Sequence, residues 1–251
     1  FIFNKKRNWY KTMKTKHLGK KNKKIPTGFK ILDPIERNKA SNSYGVDFWN
    51  AYEFSYLDSS SQPVLKILEI IIPASSMYMV ESKSLKLYLN SYYKKKFASD
   101  SDVKNKIIRD LNKLTKSIVK VKFISNFNEE PESLDLNKTS LKYTKPNIPI
   151  CFSGFRSICP VTSQPDFANI FIYTNAKIDV SWLKSYFISF KEKGEFHEQC
   201  IEDMLVTLST KYPSCNFEVC GRFMRRGGID INPIRSNQKK LLFKNFRVFN
   251  Q

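Results

Sequence analysis

The sequence predicts an α+β fold built from two similar units, each an antiparallel sheet with a pair of helices on one face. The order strand, helix, helix, strand occurs twice, about one hundred residues apart. Apolar residues make up 41% of the 251 residues, which is enough for a packed core. Only eight residues are glycine, and no Gly-x-Gly-x-x-Gly motif follows a strand, which disfavours a doubly wound nucleotide-binding fold.

The first unit is predicted from changes in hydrophobic period. The stretch 47–57 is rich in aromatic residues, and 64–72 is a β-branched run typical of a buried strand. Val103, Ile107 and Leu111 recur at helical spacing. The predicted elements are strands at 47–57 and 64–72, helices at 82–97 and 101–116, and a half-buried strand at 119–123.

The second unit repeats this order after a stretch at 126–149 that is rich in Pro, Glu, Asn, Lys and Ser. Its predicted elements are a strand at 168–173, helices at 182–190 and 200–208, and a closing strand at 217–223. The predicted organisation is a basic arm and lead-in at 1–45, a first unit at 46–130, a connection at 131–150 and a second unit at 151–251.

The formal net charge of +20 invites a nucleic-acid interpretation. Only nine of the 43 basic residues are Arg, however, and Arg is the residue that grips phosphates and bases bidentately. The charge is better explained by a general enrichment in Lys and Asn, so direct nucleic-acid binding is not expected. The basic stretch 5–24 is interpreted as a solvated arm, with a weak RNA-binding tail as the alternative.

Several other classes of protein are disfavoured. No run approaches the roughly 18 apolar residues of a membrane span, and no apolar segment of a secretory signal follows the basic start. The five cysteines are irregularly spaced and only two histidines are present, so neither a disulfide framework nor a zinc site is predicted. The expected compartment is the cytoplasm.

A thiol and a carboxylate share one loop of the second unit. Cys159 and Asp166 lie in a segment bracketed by Pro160 and Pro165, so the loop is rigid and holds both groups at a fixed separation. A nucleophilic thiolate beside an acid that moves a proton is a coherent catalytic pair. The pattern alone favours a buried structural cysteine and a turn-forming aspartate.

Three further polar clusters have both a structural and a functional interpretation. Ser82 is predicted to cap a helix, after Glu81. His197 and Glu198 open a helix, where the dipole favours Glu, but there Glu198 is also suited to accept two N–H bonds from a purine-like edge. The stretch 225–230 is predicted to be a hairpin turn, and its two Arg beside Gly also suit a phosphate.

Four motifs together resemble the QueF family, the NADPH-dependent 7-cyano-7-deazaguanine reductases of queuosine biosynthesis. They are ESKSLKLYLNS (81–91), CPVTSQPDF (159–167), FHEQC (196–200) and RRGGIDINPIRS (225–236), in that order. The stretch VDFWNAYEFSYL (46–57) is similar to the long, two-domain form of the family. The resemblance implies tandem tunnelling-fold (T-fold) units, a cytoplasmic enzyme involved in tRNA modification, and a homodimer.

The resemblance also implies residue roles. Cys159 would form a covalent thioimide with the nitrile, and Asp166 would protonate its nitrogen. The implied substrate-binding residues are Val80, Glu81, Ser82, Phe196, His197 and Glu198, and the implied NADPH-binding residues are Ser82, Lys83, Arg226 and Gly227. No metal is implied.

Three further expectations accompany this assignment. Arg156 is a candidate neighbour that favours the Cys159 thiolate. A Cys159–Cys200 disulfide is a hypothesis for reversible protection on oxidation. Two other functions stay open: an RNA-binding protein on the duplicated scaffold, and another enzyme of the same fold, such as a zinc-dependent pterin or purine cyclohydrolase.

Overall fold

A computed structural model of the protein describes residues 16–17, 27–38 and 43–251. The basic stretch 5–24 therefore lies almost wholly outside the described residues. The described elements, after a short 3-10 helix at Gly28–Ile31, are β1 (Pro34–Glu36), β2 (Tyr44–Leu57), β3 (Pro63–Pro73), β4 (Tyr78–Val80), α1 (Ser82–Asn90), α2 (Asp100–Thr115), β5 (Lys120–Ile124), β6 (Leu134–Asp135), β7 (Ile150–Ile158), β8 (Pro165–Thr174), α3 (Val180–Ile188), α4 (His197–Lys211), β9 (Phe217–Phe223) and β10 (Ile229–Ser236).

Eight strands form one continuous sheet in the order β5-β3-β2-β10-β9-β8-β7-β6. Its pairs are antiparallel except for β6 with β7, and the short strands β1 and β4 form a separate two-stranded sheet. The two predicted units meet where β2 of the first pairs with β10 of the second, from Tyr44 opposite Ser236 to Ala51 opposite Ile229. The α+β fold with tandem units is thus confirmed, and the two units share one sheet.

The helices cover one face of this sheet and enclose a core in each unit. In the first unit, Trp49, Leu68 and Ile70 of the sheet pack with Leu85 of α1 and Ile107 of α2. The second unit has an equivalent core between its sheet and α3 and α4, formed by residues such as Ile170, Val219, Leu183 and Met204. This pairing of helices with antiparallel strands is the arrangement that the repeated hydrophobic pattern predicts.

The opposite face of the sheet is covered in part by residues that follow β10. Phe243, Phe246 and Val248 pack against Phe171 and Cys220 in a third core cluster. A hydrogen-bonded polar layer adjoins this cluster, and its members are Asn50, Glu69, Arg222, Asp230, Asn232, Asn245 and Gln251. Most of its polar atoms are satisfied, which limits the free-energy penalty of burying them.

Some boundaries differ from the sequence prediction. Helix α1 ends at Asn90, whereas apolar periodicity extended the prediction to residue 97. Tyr92 and Phe97 continue the apolar pattern beyond the helix because their rings stack on each other, with centroids 5.6 Å apart. The N-cap of α1 is Glu81 and not Ser82. The predicted closing strand β9 is followed by a further strand, β10, which lies at the centre of the sheet.

The stretch interpreted as a connection packs along one edge of the sheet. Within it, β6 pairs with β7, and Leu136 is fully buried. The Thr144 amide donates a hydrogen bond to the carbonyl of Ile178.

Across the described residues, no helix is both long enough and apolar enough to cross a membrane.

Candidate active site

A cleft of about 250 Å³ lies where the two units meet. It is bordered by the start of α1, the β7–β8 loop, the start of α4 and the β9–β10 turn. The residues that line it are Ile35, Trp49, Met79, Val80, Ser82, Lys83, Lys86, Cys159, Pro160, Thr162, Gln164, Asp166, Glu195, Phe196, His197, Glu198, Arg226 and Ile231.

The Glu81 carboxylate fixes the first turn of α1. One of its oxygens accepts a hydrogen bond from the Lys83 amide at 2.7 Å, and the other accepts one from the Ser84 amide at 2.8 Å. Glu81 is almost fully buried, and burial is the main cause that raises its pKa above the usual value. Because it caps the helix, Ser82 and Lys83 are held at the edge of the cleft. Glu81 itself is not among the cleft-lining residues.

The β7–β8 hairpin brings Cys159 and Asp166 to the same cleft. Ser157 of β7 pairs with Asp166 of β8, and the loop between the strands is closed by hydrogen bonds from the Cys159 amide to Gln164 and from the Ser163 amide to Cys159. Cys159 is a partly buried free thiol. The seven-residue separation in sequence thus becomes a short separation in space, because the chain reverses between the two residues.

Two cationic or ionisable side chains contact the Asp166 carboxylate. Its Oδ1 lies 2.8 Å from Arg226 Nη2 and 3.4 Å from His197 Nε2. Burial alone would raise the pKa of Asp166, but the hydrogen bond and charge of His197, with the charges of Arg226 and Lys86, hold it below the usual range. Asp166 is therefore a carboxylate at neutral pH, ready to accept a proton.

The first turn of α4 places a histidine and a glutamate against the cleft. The His197 ring stacks on Phe223, with centroids 3.8 Å apart and planes 4° from parallel. Its Nδ1 has no hydrogen-bond partner among the described residues. Glu198 is 5% exposed, and burial, followed by the charge of Asp47, raises its pKa above the usual value. A buried carboxylate of this kind can accept hydrogen bonds from N–H donors in the cleft.

A buried ion network adjoins Glu198. Asp47 of β2 accepts hydrogen bonds from Arg37 and, at 2.7 Å, from Arg235 Nη1 of β10. The Nε of Arg235 also donates to Glu202 of α4 at 2.8 Å. Asp47 and Arg235 are each about 1% exposed, so this network is removed from solvent. It links the first unit to the strand and helix of the second unit that border the cleft.

The β9–β10 turn supplies a cation and a glycine. Arg226 donates hydrogen bonds to the Gln164 side chain, at 3.0 Å, and to the carbonyl of Pro165. Gly227 has a φ of +56°, which favours glycine, as the predicted hairpin turn requires. A Cβ at Gly227 would lie 3.6 Å from Nζ of Lys86, so the Lys86 side chain reaches this turn from α1.

The cleft brings together most of the predicted site residues: Val80, Ser82, Lys83, Cys159, Asp166, Phe196, His197, Glu198 and Arg226. Glu81 and Gly227 lie beside it. Arg156, the expected neighbour of Cys159, instead contacts Glu192 at 3.2 Å and the carbonyl of Lys191, and it does not line the cleft.

Sequence reasoning missed Trp49 and Lys86 as cleft residues. Lys86 is four residues after Ser82 and three after Lys83, and this helical spacing was a usable signal that all three share one face of α1. Trp49 gave no comparable signal, because its position in an aromatic strand is equally typical of a core residue.

All five cysteines are free thiols. Cys200 is fully buried, and burial is the main cause that raises its pKa. The Cys159–Cys200 bridge stays a prediction about the oxidised protein. Within residues 16–17, 27–38 and 43–251, no group of three or more His, Cys, Asp or Glu side chains is arranged to hold a metal ion.

Comparisons with known proteins match both units. A family described as "Nitrile reductase, 7-cyano-7-deazaguanine-reductase N-term" matches residues 29–123, and a family described as "QueF-like protein" matches residues 165–241. An NADPH-dependent 7-cyano-7-deazaguanine reductase of Coxiella burnetii (strain Dugway 5J108-111) is 37% identical over 228 residues, covering 83% of this chain and 82% of that protein. One of Desulfotalea psychrophila is 36% identical over 253 residues, covering 88% and 91%.

Proposed function

The chain belongs to the QueF family, and we propose that it reduces the nitrile of 7-cyano-7-deazaguanine to the aminomethyl group with NADPH. The observation that best supports this proposal is that Cys159, Asp166, His197 and Glu198 border one cleft. A nucleophile, a proton carrier and a buried carboxylate for a base edge are the groups that this reaction needs. The pathway served would be queuosine biosynthesis for tRNA.

The first chemical step is addition of the Cys159 sulfur to the nitrile carbon. A nitrile is a poor hydride acceptor, and the covalent thioimide that forms is a better one. As the new S–C bond forms, Asp166 takes the thiol proton and passes it to the nitrile nitrogen, which gains the electron pair of the broken π bond. Because the pKa of Asp166 is held below the usual range, the carboxylate starts this step without a proton, and the proton that it delivers to the nitrogen comes from the thiol.

The other side chains hold the base. Glu198 would accept hydrogen bonds from the ring N–H and the amino group of the deazaguanine, and Phe196 would pack on its face. His197, stacked on Phe223 and 3.4 Å from Asp166, would keep that carboxylate oriented. Val80 and Ser82 would complete the contacts from the first unit, and Glu81 would act through the helix turn that it caps.

The same cleft is suited to NADPH. Lys83 and Arg226 border it, and two cations match the phosphates of a dinucleotide. Ser82 offers a hydroxyl, and Gly227 is exposed and lacks a side chain that would cover the entrance. When bound, NADPH would supply two hydrides to the former nitrile carbon, and the bond between that carbon and the Cys159 sulfur would break between the two transfers, which regenerates the thiol. The residues of the chain hold the cofactor from the surface and not in a Rossmann crevice.

The proposal includes a location and an assembly. A QueF enzyme of this form would act in the cytoplasm as a homodimer, without binding RNA directly. Size-exclusion chromatography with light scattering tests the assembly, and a mass of one chain would contradict it. RNA affinity that falls steeply with salt would contradict the proposal that the enzyme does not bind RNA directly, and it would support the alternative of an RNA-binding protein.

The test of the reaction is NADPH oxidation, followed by near-UV absorbance, after addition of 7-cyano-7-deazaguanine. We expect the wild type to consume about two NADPH per nitrile, since nitrile to amine is a four-electron reduction and each hydride carries two electrons. Cys159→Ala should consume none. Cys215→Ala, which removes another partly buried thiol, is the matched control and should behave as wild type. A folded, reduced wild type that consumes no NADPH would refute the proposed function.

A further inference from the structure

Trp49 borders the cleft from the central strand β2. It pairs with Ile70 of β3 on one side and with Ile231 of β10 on the other, and it is 2% exposed. On the same face of β2, two residues earlier, lies Asp47, whose charge reaches Glu198. Trp49 therefore lines the same cleft as Glu198, the carboxylate that is proposed to bind the base.

The indole N–H of Trp49 has no acceptor. It is a buried donor, and no described residue or backbone carbonyl accepts its hydrogen bond. Ile35, Met79, Val80 and Ile231 line the same cleft, and their apolar side chains contain no acceptor. Leaving a buried donor unpaired is energetically unfavourable. Such a donor at the edge of a cleft needs an acceptor that the described residues do not supply.

Trp49 and Glu198, which both line the cleft, offer a ligand opposite hydrogen-bonding groups. Glu198 accepts hydrogen bonds, whereas Trp49 donates one. A pyrimidinone ring offers both on neighbouring atoms, because the ring N–H that faces a carboxylate lies next to the ring carbonyl. We propose that the Trp49 indole N–H donates a hydrogen bond to the ring carbonyl oxygen of the substrate and selects for that carbonyl. This inference rests on the proposed function, since it assigns a recognition contact in the same cleft.

The proposed contact predicts a specific preference among ligands. A thiocarbonyl analogue keeps the ring N–H for Glu198 but offers sulfur, a weaker acceptor, to Trp49. A site that uses a buried donor discriminates against a ligand that fails to satisfy it. We expect the carbonyl ligand to bind about tenfold more tightly than the thiocarbonyl analogue when Trp49 is present.

The experiment measures affinity by calorimetry in the Cys159→Ala protein, where no thioimide forms and NADPH is omitted. The ligands are 7-cyano-7-deazaguanine and its 6-thiocarbonyl analogue. Trp49→Phe keeps an aromatic ring but removes the donor, and we expect the carbonyl preference to fall below threefold. Trp182→Phe is the matched control, because Trp182 stacks on Tyr186 away from the cleft. It should keep the full preference.

A second measurement covers the case in which Trp49→Phe does not fold. The protein contains three tryptophans, so ¹⁵N-labelled Cys159→Ala protein has three indole N–H resonances, and the Trp9→Phe and Trp182→Phe variants identify that of Trp49. We expect the carbonyl ligand to move this resonance downfield. An unmoved resonance, or an unchanged carbonyl preference in a folded Trp49→Phe variant, overturns the inference. If Cys159→Ala does not bind 7-cyano-7-deazaguanine at all, the proposed function itself fails.

Discussion

Replacing Asp47 with asparagine removes one negative charge from the buried ion network and keeps the size of the side chain. Asp47 accepts hydrogen bonds from both Arg37 and Arg235, and each such charged bond contributes about 1.5–3 kcal/mol. Removing one partner from a buried pair costs about 3–5 kcal/mol, because the remaining charge stays buried. We therefore expect Asp47→Asn to lower the free energy of unfolding by about 4 kcal/mol.

This loss is large enough for a simple assay. A chain of this size loses about 2–4 °C of melting temperature per kcal/mol, which predicts a decrease of roughly 8–16 °C by circular dichroism. Glu129→Gln is the control, since Glu129 is exposed and removing it changes the net charge equally. A loss below about 1 kcal/mol for Asp47→Asn would refute the reasoning, because it would mean that Arg37 and Arg235 are stable without their shared carboxylate.

The pH dependence of this loss provides a second check on the same variant. Burial would raise the pKa of Asp47, but Arg235 and Arg37 together lower it below the usual value. A lowered pKa in the folded state contributes stability above the unfolded-state pKa of about 4, and that contribution is lost as pH falls through the folded-state value. The difference between wild type and Asp47→Asn should therefore be constant near neutral pH and become smaller only in acid.

Three further predictions concern the same region. Burial raises the pKa of Glu198, so wild type loses stability as pH rises through that raised value. Glu198→Gln should therefore unfold at a higher temperature, with a gain that increases as pH rises above the unfolded-state pKa of about 4, and a gain that does not change with pH would contradict this. Gly45→Ala would place a Cβ 2.0 Å from the carbonyl oxygen of Ile234 and should cost about 3 kcal/mol in denaturant unfolding; a cost near zero would show that the strands separate easily. Phe223→Leu removes the ring on which His197 stacks and should slow formation of the Cys159 adduct, measured by mass spectrometry, about tenfold; an unchanged rate would show that stacking does not orient the histidine.

Much of the fold was predictable because regular elements have regular hydrophobic periods. The two longest strands that escaped prediction, β7 and β10, break that regularity. In β7 the pairing shifts between Phe152 and Phe155, where Gly154 adopts a φ of +79°, so alternation is interrupted at a bulge. In β10, Pro233 has no N–H group to donate to a neighbouring strand. The pairing of β10 with β9 accordingly begins only at Ile234.

The site was predictable where side chains follow a motif and less so where they meet through the fold. Cys159 and Asp166 are brought together by one hairpin, so their proximity could be predicted from the sequence of the loop between them. The 2.8 Å contact between Asp166 and Arg226 joins two hairpins that are sixty residues apart, and no local pattern encodes it. Trp49 resembles a core residue in sequence, and only its unpaired N–H beside a cleft distinguishes it.

The pairing of β2 with β10 has a practical consequence for anyone who divides the gene. These strands pair over eight residues, from Tyr44 with Ser236 to Ala51 with Ile229. Dividing the chain within the connection would therefore leave each half with a long strand edge that has no pairing partner. Such edges recruit other chains and promote aggregation. The halves should therefore stay insoluble when expressed separately and recover when they are produced together in the same cell. Swapping one half for that of a relative would succeed only if the new β2 or β10 carries a matching register.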